Sequence, residues 1–185
     1  MKKSHLSVII TLLLFVSCHP NKDKSTDTIQ KEKAATEQKA DDNDNSIKIS
    51  FTMNDVNGKQ VSVSDVFAEH KITVIDFWAS WCGPCRTEMP NLVKTYKKYK
   101  DKGLGIIGVS LDEDKAEWTK AIETMGMTWT QLSDLQGWNN SAAQMYGIQA
   151  IPFTIIVDNT GRVIDAGLRG EQLESAIAKY LNNQN

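Results

Sequence analysis

The sequence predicts an α/β fold, a central mixed sheet flanked by helices. Three observations carry that expectation. Two near-continuous apolar runs, Ile72 to Trp78 and Leu104 to Leu111, have the length and composition of strands buried on both faces. Segments with apolar residues three to four apart follow each run, as helices crossing between parallel strands would. The turn signals Asn57-Gly58 and Asp158-Asn159-Thr160-Gly161 sit between short β-type runs and predict one antiparallel hairpin near each end of the domain.

The chain has 185 residues, 41% hydrophobic and 24% charged, with net charge −2, which fits one globular domain with appendages and leaves no basic footprint for nucleic acid. Met1-Lys2-Lys3, the apolar stretch Leu6 to Val16 and Ser17-Cys18 form the three-part layout of a secretory signal over residues 1–17. The apolar stretch is too short for a membrane-spanning helix, which needs about 20 such residues. Leu14-Phe15-Val16-Ser17-Cys18 resembles a bacterial lipobox, with Phe15 where leucine is usual, and predicts lipid modification at Cys18. From His19 to Asn45 nearly every residue is polar, charged or alanine, so residues 18–45 are expected to be a flexible tether. The folded domain is expected over residues 46–185.

Within it, Ile47, Ile49, Phe51 and Met53 alternate with polar residues and predict a half-buried strand, with Val61 and Val63 on the return strand. Asp65 to His70 reads as a short helical turn, and Lys71 to Trp78 as a buried strand carrying one carboxylate, Asp76. Leu92, Val93, Tyr96 and Tyr99 mark a helix ending near Lys102-Gly103, followed by the Leu104 to Leu111 strand. Glu113 to Met125 is helical, with Trp118, Ile122 and Met125 on one face. A short strand at Trp129 to Leu132 and a short helix over Asn140 to Tyr146 come next. Pro152 to Val157 and Val163 to Gly167 form the second hairpin, and Leu173, Ile177 and Leu181 mark a terminal helix.

Chemistry concentrates where the first buried strand hands over to a helix, at Trp81-Cys82-Gly83-Pro84-Cys85. A thiol at a helix N-terminus meets unpaired N–H groups and the positive end of the dipole, which favour the nucleophilic thiolate. A second thiol one turn on can displace the partner sulfur and close an intramolecular disulfide. Cys82 is therefore read as the attacking nucleophile and Cys85 as the resolving thiol. With three cysteines in the whole chain and Cys18 far away, a disulfide-stapled fold is not expected. A tetrahedral zinc site would need four ligands, for which His70 and the distant Cys18 are the remaining candidates, so no metal is assigned. Haem attachment would need histidine where Arg86 stands. Asp76, a carboxylate in an apolar strand, is expected to be desolvated and raised in pKa toward the working pH, as suits a proton acceptor for Cys85. Gly103-Leu104-Gly105-Ile106-Ile107-Gly108 matches a dinucleotide fingerprint by letter, but it leaves a helix for a strand, the reverse of what that motif requires.

The stretch from Asp76 to Cys85, Asp76-Phe77-Trp78-Ala79-Ser80-Trp81-Cys82-Gly83-Pro84-Cys85, resembles the active-site segment of the thioredoxin superfamily. Pro90 matches the proline inside that family's first helix, and Ile151-Pro152 its cis-proline dipeptide. The N-terminal hairpin, the long Cys85 to Pro152 separation filled by a helix and strand over Glu113 to Leu135, and the lipoprotein-like signal are similar to the TlpA/ResA-like extracytoplasmic branch. The resemblance implies a thioredoxin-like fold and a thiol-disulfide oxidoreductase without organic or metal cofactor. It places Trp81, Gly83, Pro84, Ile151 and Pro152 on the substrate-binding face, with Pro152 cis and the Ile151 backbone free to pair with an extended substrate. It further implies disulfide-containing protein substrates, a membrane thiol electron donor, and a lipid-anchored protein facing the periplasm. Gly83-Pro84 is the thioredoxin dipeptide and points to a reductant. Gly108 departs from the family in standing where thioredoxins carry a lysine near the buried aspartate, and Phe153 in standing where threonine is usual. A peroxiredoxin-like peroxidase is the alternative enzyme, but Ser80 and Trp81 precede Cys82 where that group needs threonine. A metal chaperone on the same fold is the alternative without catalysis.

Overall fold

The computed structural model describes residues 46–183. The expected signal, tether and lipidated Cys18 lie outside the described residues. Strands β1 (Thr52–Asn54) and β2 (Gln60–Ser62) pair antiparallel around Asn57-Gly58. Asp55 Oδ1 accepts from the amides of Asn57 and Lys59 at 2.8 and 2.9 Å, and Gly58 takes φ 79°, a conformation glycine adopts without a Cβ penalty. Helix α1 (Val63–Ala68) starts immediately, so Val63 belongs to the helix and not to the return strand. Val63 and Phe67 are one turn apart, and burying both on one helix face outweighs the strand propensity of valine. Ile47 also departs from expectation. It is 68% exposed, although the inward alternation holds at Ile49, Phe51 and Met53; Ile47 lies at the outer end of the bridge that Lys48 makes with Arg162.

Strand β3 (Ile72–Trp78) is buried throughout. Helix α2 (Gly83–Tyr99) follows, ending in a 3-10 turn (Lys100–Lys102) that Gly103 terminates at φ 105°. Strand β4 (Leu104–Ser110), helix α3 (Lys115–Met125) and strand β5 (Thr130–Leu132) come next. Asp114 caps α3 by accepting from the Glu117 amide at 2.9 Å. Helix α4 (Ser141–Met145), strands β6 (Phe153–Asp158) and β7 (Val163–Ala166), and helix α5 (Gly170–Asn182) complete the domain.

The main sheet has the order β5-β4-β3-β6-β7. β3, β4 and β5 are parallel, as their helical crossovers allow, whereas β6 runs antiparallel to β3 and to β7. The N-terminal segment is fastened at both edges of this sheet. Ile49 N donates to Gly161 O (2.8 Å) and Val163 N to Ile47 O (2.9 Å) beside the β6–β7 turn, while Ser133 N donates to Asn54 O (3.0 Å) beyond β5.

Candidate functional site

The register of the sheet assembles the site. Phe77 pairs with Phe153, so Pro152 falls across from Trp78 at the end where β3 gives way to α2. The Ile151–Pro152 peptide is cis. Between β3 and α2 the chain bends, and a buried carboxylate holds the bend: Asp112 accepts from Ser80 N (3.2 Å), Ser80 Oγ (2.5 Å) and Ser110 Oγ (2.7 Å). No local sequence signal marks Asp112, whose role depends on β3 and β4 ending side by side.

Cys82 is the N-cap of α2 and Cys85 lies in its first turn, with Pro84 between them at a position where its missing N–H costs nothing. The first turn carries no acidic residue to oppose a thiolate. The two sulfurs are bonded, S–S 2.04 Å, with Cα atoms 5.3 Å apart. Cys82 Sγ also accepts from the Cys85 amide at 3.2 Å. Both cysteines are buried, Cys85 more deeply, and Gly83 and Pro84 between them are exposed. Trp81, 55% exposed, stands beside the pair and tilts against the exposed ring of Trp138, centroids 6.4 Å apart. Trp118 and Trp129, by contrast, are core residues.

Asp76 lies two residues before the end of β3, the strand that leads into the cysteine pair, and is 4% exposed. Burial is the main cause that raises its carboxyl from 3.8 to about 7; the Glu88 carboxylate adds to the rise and the Arg169 guanidinium opposes it. Asp76 pairs in register with Gly108 on β4, which pairs with Gln131 on β5, so all three positions share one sheet face. A Cβ at Gly108 would overlap the Gln131 carboxamide, which fills that space and accepts from Trp78 Nε1 at 3.1 Å. The lysine of the family pattern is thus replaced by a neutral amide, and the charges that bear on Asp76 come from elsewhere. The spacing from Cys85 to Glu88, three residues on a helix, puts both on one face and is a signal the sequence carries. Arg169 gave no sequence signal, because it reaches the site through the β7–α5 loop.

A dithiol–disulfide pair at a helix N-terminus, a cis-proline segment across from the end of the strand that leads into it and a buried acid on that strand, on a five-stranded mixed sheet with helices, define a thiol-disulfide oxidoreductase of thioredoxin-like fold. The profile of the Redoxin family matches residues 33–181, and the chain belongs to that family. The thiol-disulfide oxidoreductase ResA of Bacillus thuringiensis is 30% identical over 131 residues, which cover 71% of this chain and 72% of that protein. The thioredoxin domain of a thiol-disulfide oxidoreductase from Bacteroides vulgatus superposes with a TM-score of 0.67 at 36% identity, over 74% of this chain and 96% of that domain. A thiol-disulfide oxidoreductase from Bacteroides fragilis gives 0.66 at 28% identity, over 71% and 97%.

Proposed function

We propose that this oxidoreductase works as a reductant of protein disulfides outside the cytoplasm, held to a membrane through lipid on Cys18. The observation that carries the chemistry is the Cys82–Cys85 pair at the start of α2, with Asp76 buried on the strand that leads into it. In the reduced enzyme the Cys82 thiolate attacks one sulfur of a substrate disulfide. The substrate S–S bond breaks, a mixed disulfide forms on Cys82, and the departing substrate sulfur takes a proton. Cys85 then gives its proton to the Asp76 carboxylate and attacks Cys82 Sγ. The second substrate thiol leaves, and the enzyme retains the two-electron oxidation as the Cys82–Cys85 disulfide. A pKa near 7 lets Asp76 accept that proton and return it in the same pH range. A membrane thiol protein of dithiol type restores the reduced form. Trp81, Gly83, Pro84, Ile151 and Pro152 form the face on which an extended polypeptide docks.

The sequence supports the extracytoplasmic reading through the signal-like start and the lipobox-like Leu14 to Cys18. Among the described residues no helix is long and apolar enough to cross a membrane. The test is capture. Full-length Cys85→Ser, expressed in a bacterium with an extracytoplasmic compartment, should accumulate mixed disulfides on Cys82 that Cys82→Ser/Cys85→Ser does not form. Absence of such adducts in the membrane fraction, together with no reduction of insulin disulfides by the parent protein, would remove the reading.

A further inference from the structure

The loop between β7 and α5 is tied to three other elements at the active end of the sheet. Thr154 Oγ1, on β6, donates to Leu168 O at 2.7 Å. The Gly170 amide, in the first turn of α5, donates to Glu88 Oε1 of α2 at 2.7 Å. Between these two, Arg169 Nη2 donates to the carbonyl oxygen of Pro152. Arg169 is the N-cap residue of α5, in extended backbone at φ −144° and ψ 161°, and its own carbonyl accepts from Gln172 N (3.1 Å) and Leu173 N (3.3 Å). Its backbone is therefore fixed by the helix start while its side chain reaches back to the Ile151–Phe153 segment. A planar guanidinium with five donors holds a carbonyl oxygen in a set direction, which a lysine ammonium on a flexible stem does not.

We propose that Arg169 is a positioning residue for disulfide exchange: it fixes the Pro152 carbonyl, and so the backbone on which a polypeptide disulfide docks. The inference rests on the oxidoreductase reading above. The charged groups acting on Asp76 are Glu88 from α2 and Arg169 from the β7–α5 loop. The positions flanking Asp76 in the sheet, Gly108 on β4 and Thr154 on β6, are uncharged. Glu88 and Arg169 push Asp76 in opposite directions, so removing the guanidinium leaves Glu88 unopposed and must shift the Asp76 titration to higher pH.

The experiment compares the full chain with Arg169→Met and Arg169→Lys. Insulin serves as the polypeptide disulfide and 2-hydroxyethyl disulfide as the small one, and Asp76 is followed by carboxyl carbon NMR. For Arg169→Met we expect a KM for insulin about tenfold higher, a smaller change in kcat and in KM for 2-hydroxyethyl disulfide, and an Asp76 midpoint displaced upward. Arg169→Lys is expected to restore the Asp76 midpoint but not the insulin KM, separating charge from carbonyl fixation. Equal KM effects on both disulfides, or an unmoved Asp76 midpoint in a folded Arg169→Met, would overturn the role given to Arg169. Parent protein inactive on both disulfides would instead overturn the reductant reading, and the NMR titration would still judge the charge effect.

Discussion

Asp76 ties catalysis to stability through one proton. A carboxyl that titrates at 3.8 when exposed and at about 7 in the fold is protonated in both states below pH 3, where burial of the neutral acid imposes no ionisation cost. Between about pH 4 and 7 the unfolded chain loses the proton and the folded chain keeps it, so stability falls as pH rises, by about 4 kcal/mol in full above pH 8. Asp76→Asn removes the charge with little change of shape. It should be more stable than the parent by about 2–4 kcal/mol at pH 8 and equal to it near pH 3.5, measured by urea unfolding at both values. A gain of the same size at both pH values would show that the carboxylate is not being desolvated. The same variant should slow resolution of a Cys82 mixed disulfide by about 100-fold at pH 7, since positioned proton acceptors contribute on that order.

The elements were largely legible because each carried its own local signal. The Asn57-Gly58 turn, the apolar β3 and β4 runs, the Gly103 stop and the Leu173, Ile177, Leu181 stripe all describe the chain to itself over a few residues. What was not legible depended on packing between distant segments. Val63 looks like a strand residue until Phe67 claims the same helix face, and Ile47 looks like a core residue until it is found 68% exposed at the outer end of the bridge between Lys48 and Arg162. In the site the same division holds: Cys82, Cys85, Trp81 and Pro152 stand in contiguous motifs, whereas Asp112, Gln131 and Arg169 arrive from neighbouring strands and a loop. Gly161 illustrates how such a long-range contact can be tested. It sits at φ 82°, and a Cβ there would come within 2.7 Å of Ile49 O, whose amide donates to the Gly161 carbonyl. Gly161→Ala should cost about 1–3 kcal/mol and raise amide exchange at Ile49 more than at β3 residues. Unchanged protection at Ile49 would mean the segment is held by other contacts.

At the scale of the whole molecule the open quantity is the direction of electron flow. Thioredoxin, with the same Gly-Pro between its cysteines, has a potential of about −270 mV, and the oxidant DsbA about −120 mV. We expect the Cys82–Cys85 couple to lie below about −200 mV when equilibrated against dithiothreitol buffers of known ratio. A potential above −150 mV would make the protein an oxidant. Geometry adds a constraint of another kind. Val163 N holds Ile47 O beside the β6–β7 turn, and Ile72, the first residue of β3, pairs with Asp158 at that same turn. The disulfide stands past the other end of β3, about 20 Å away at strand rise. A pull applied to the chain at Ile47 would therefore enter the domain at the end of β3 opposite the two sulfurs, loading the sheet along its strands before it reached the cysteines.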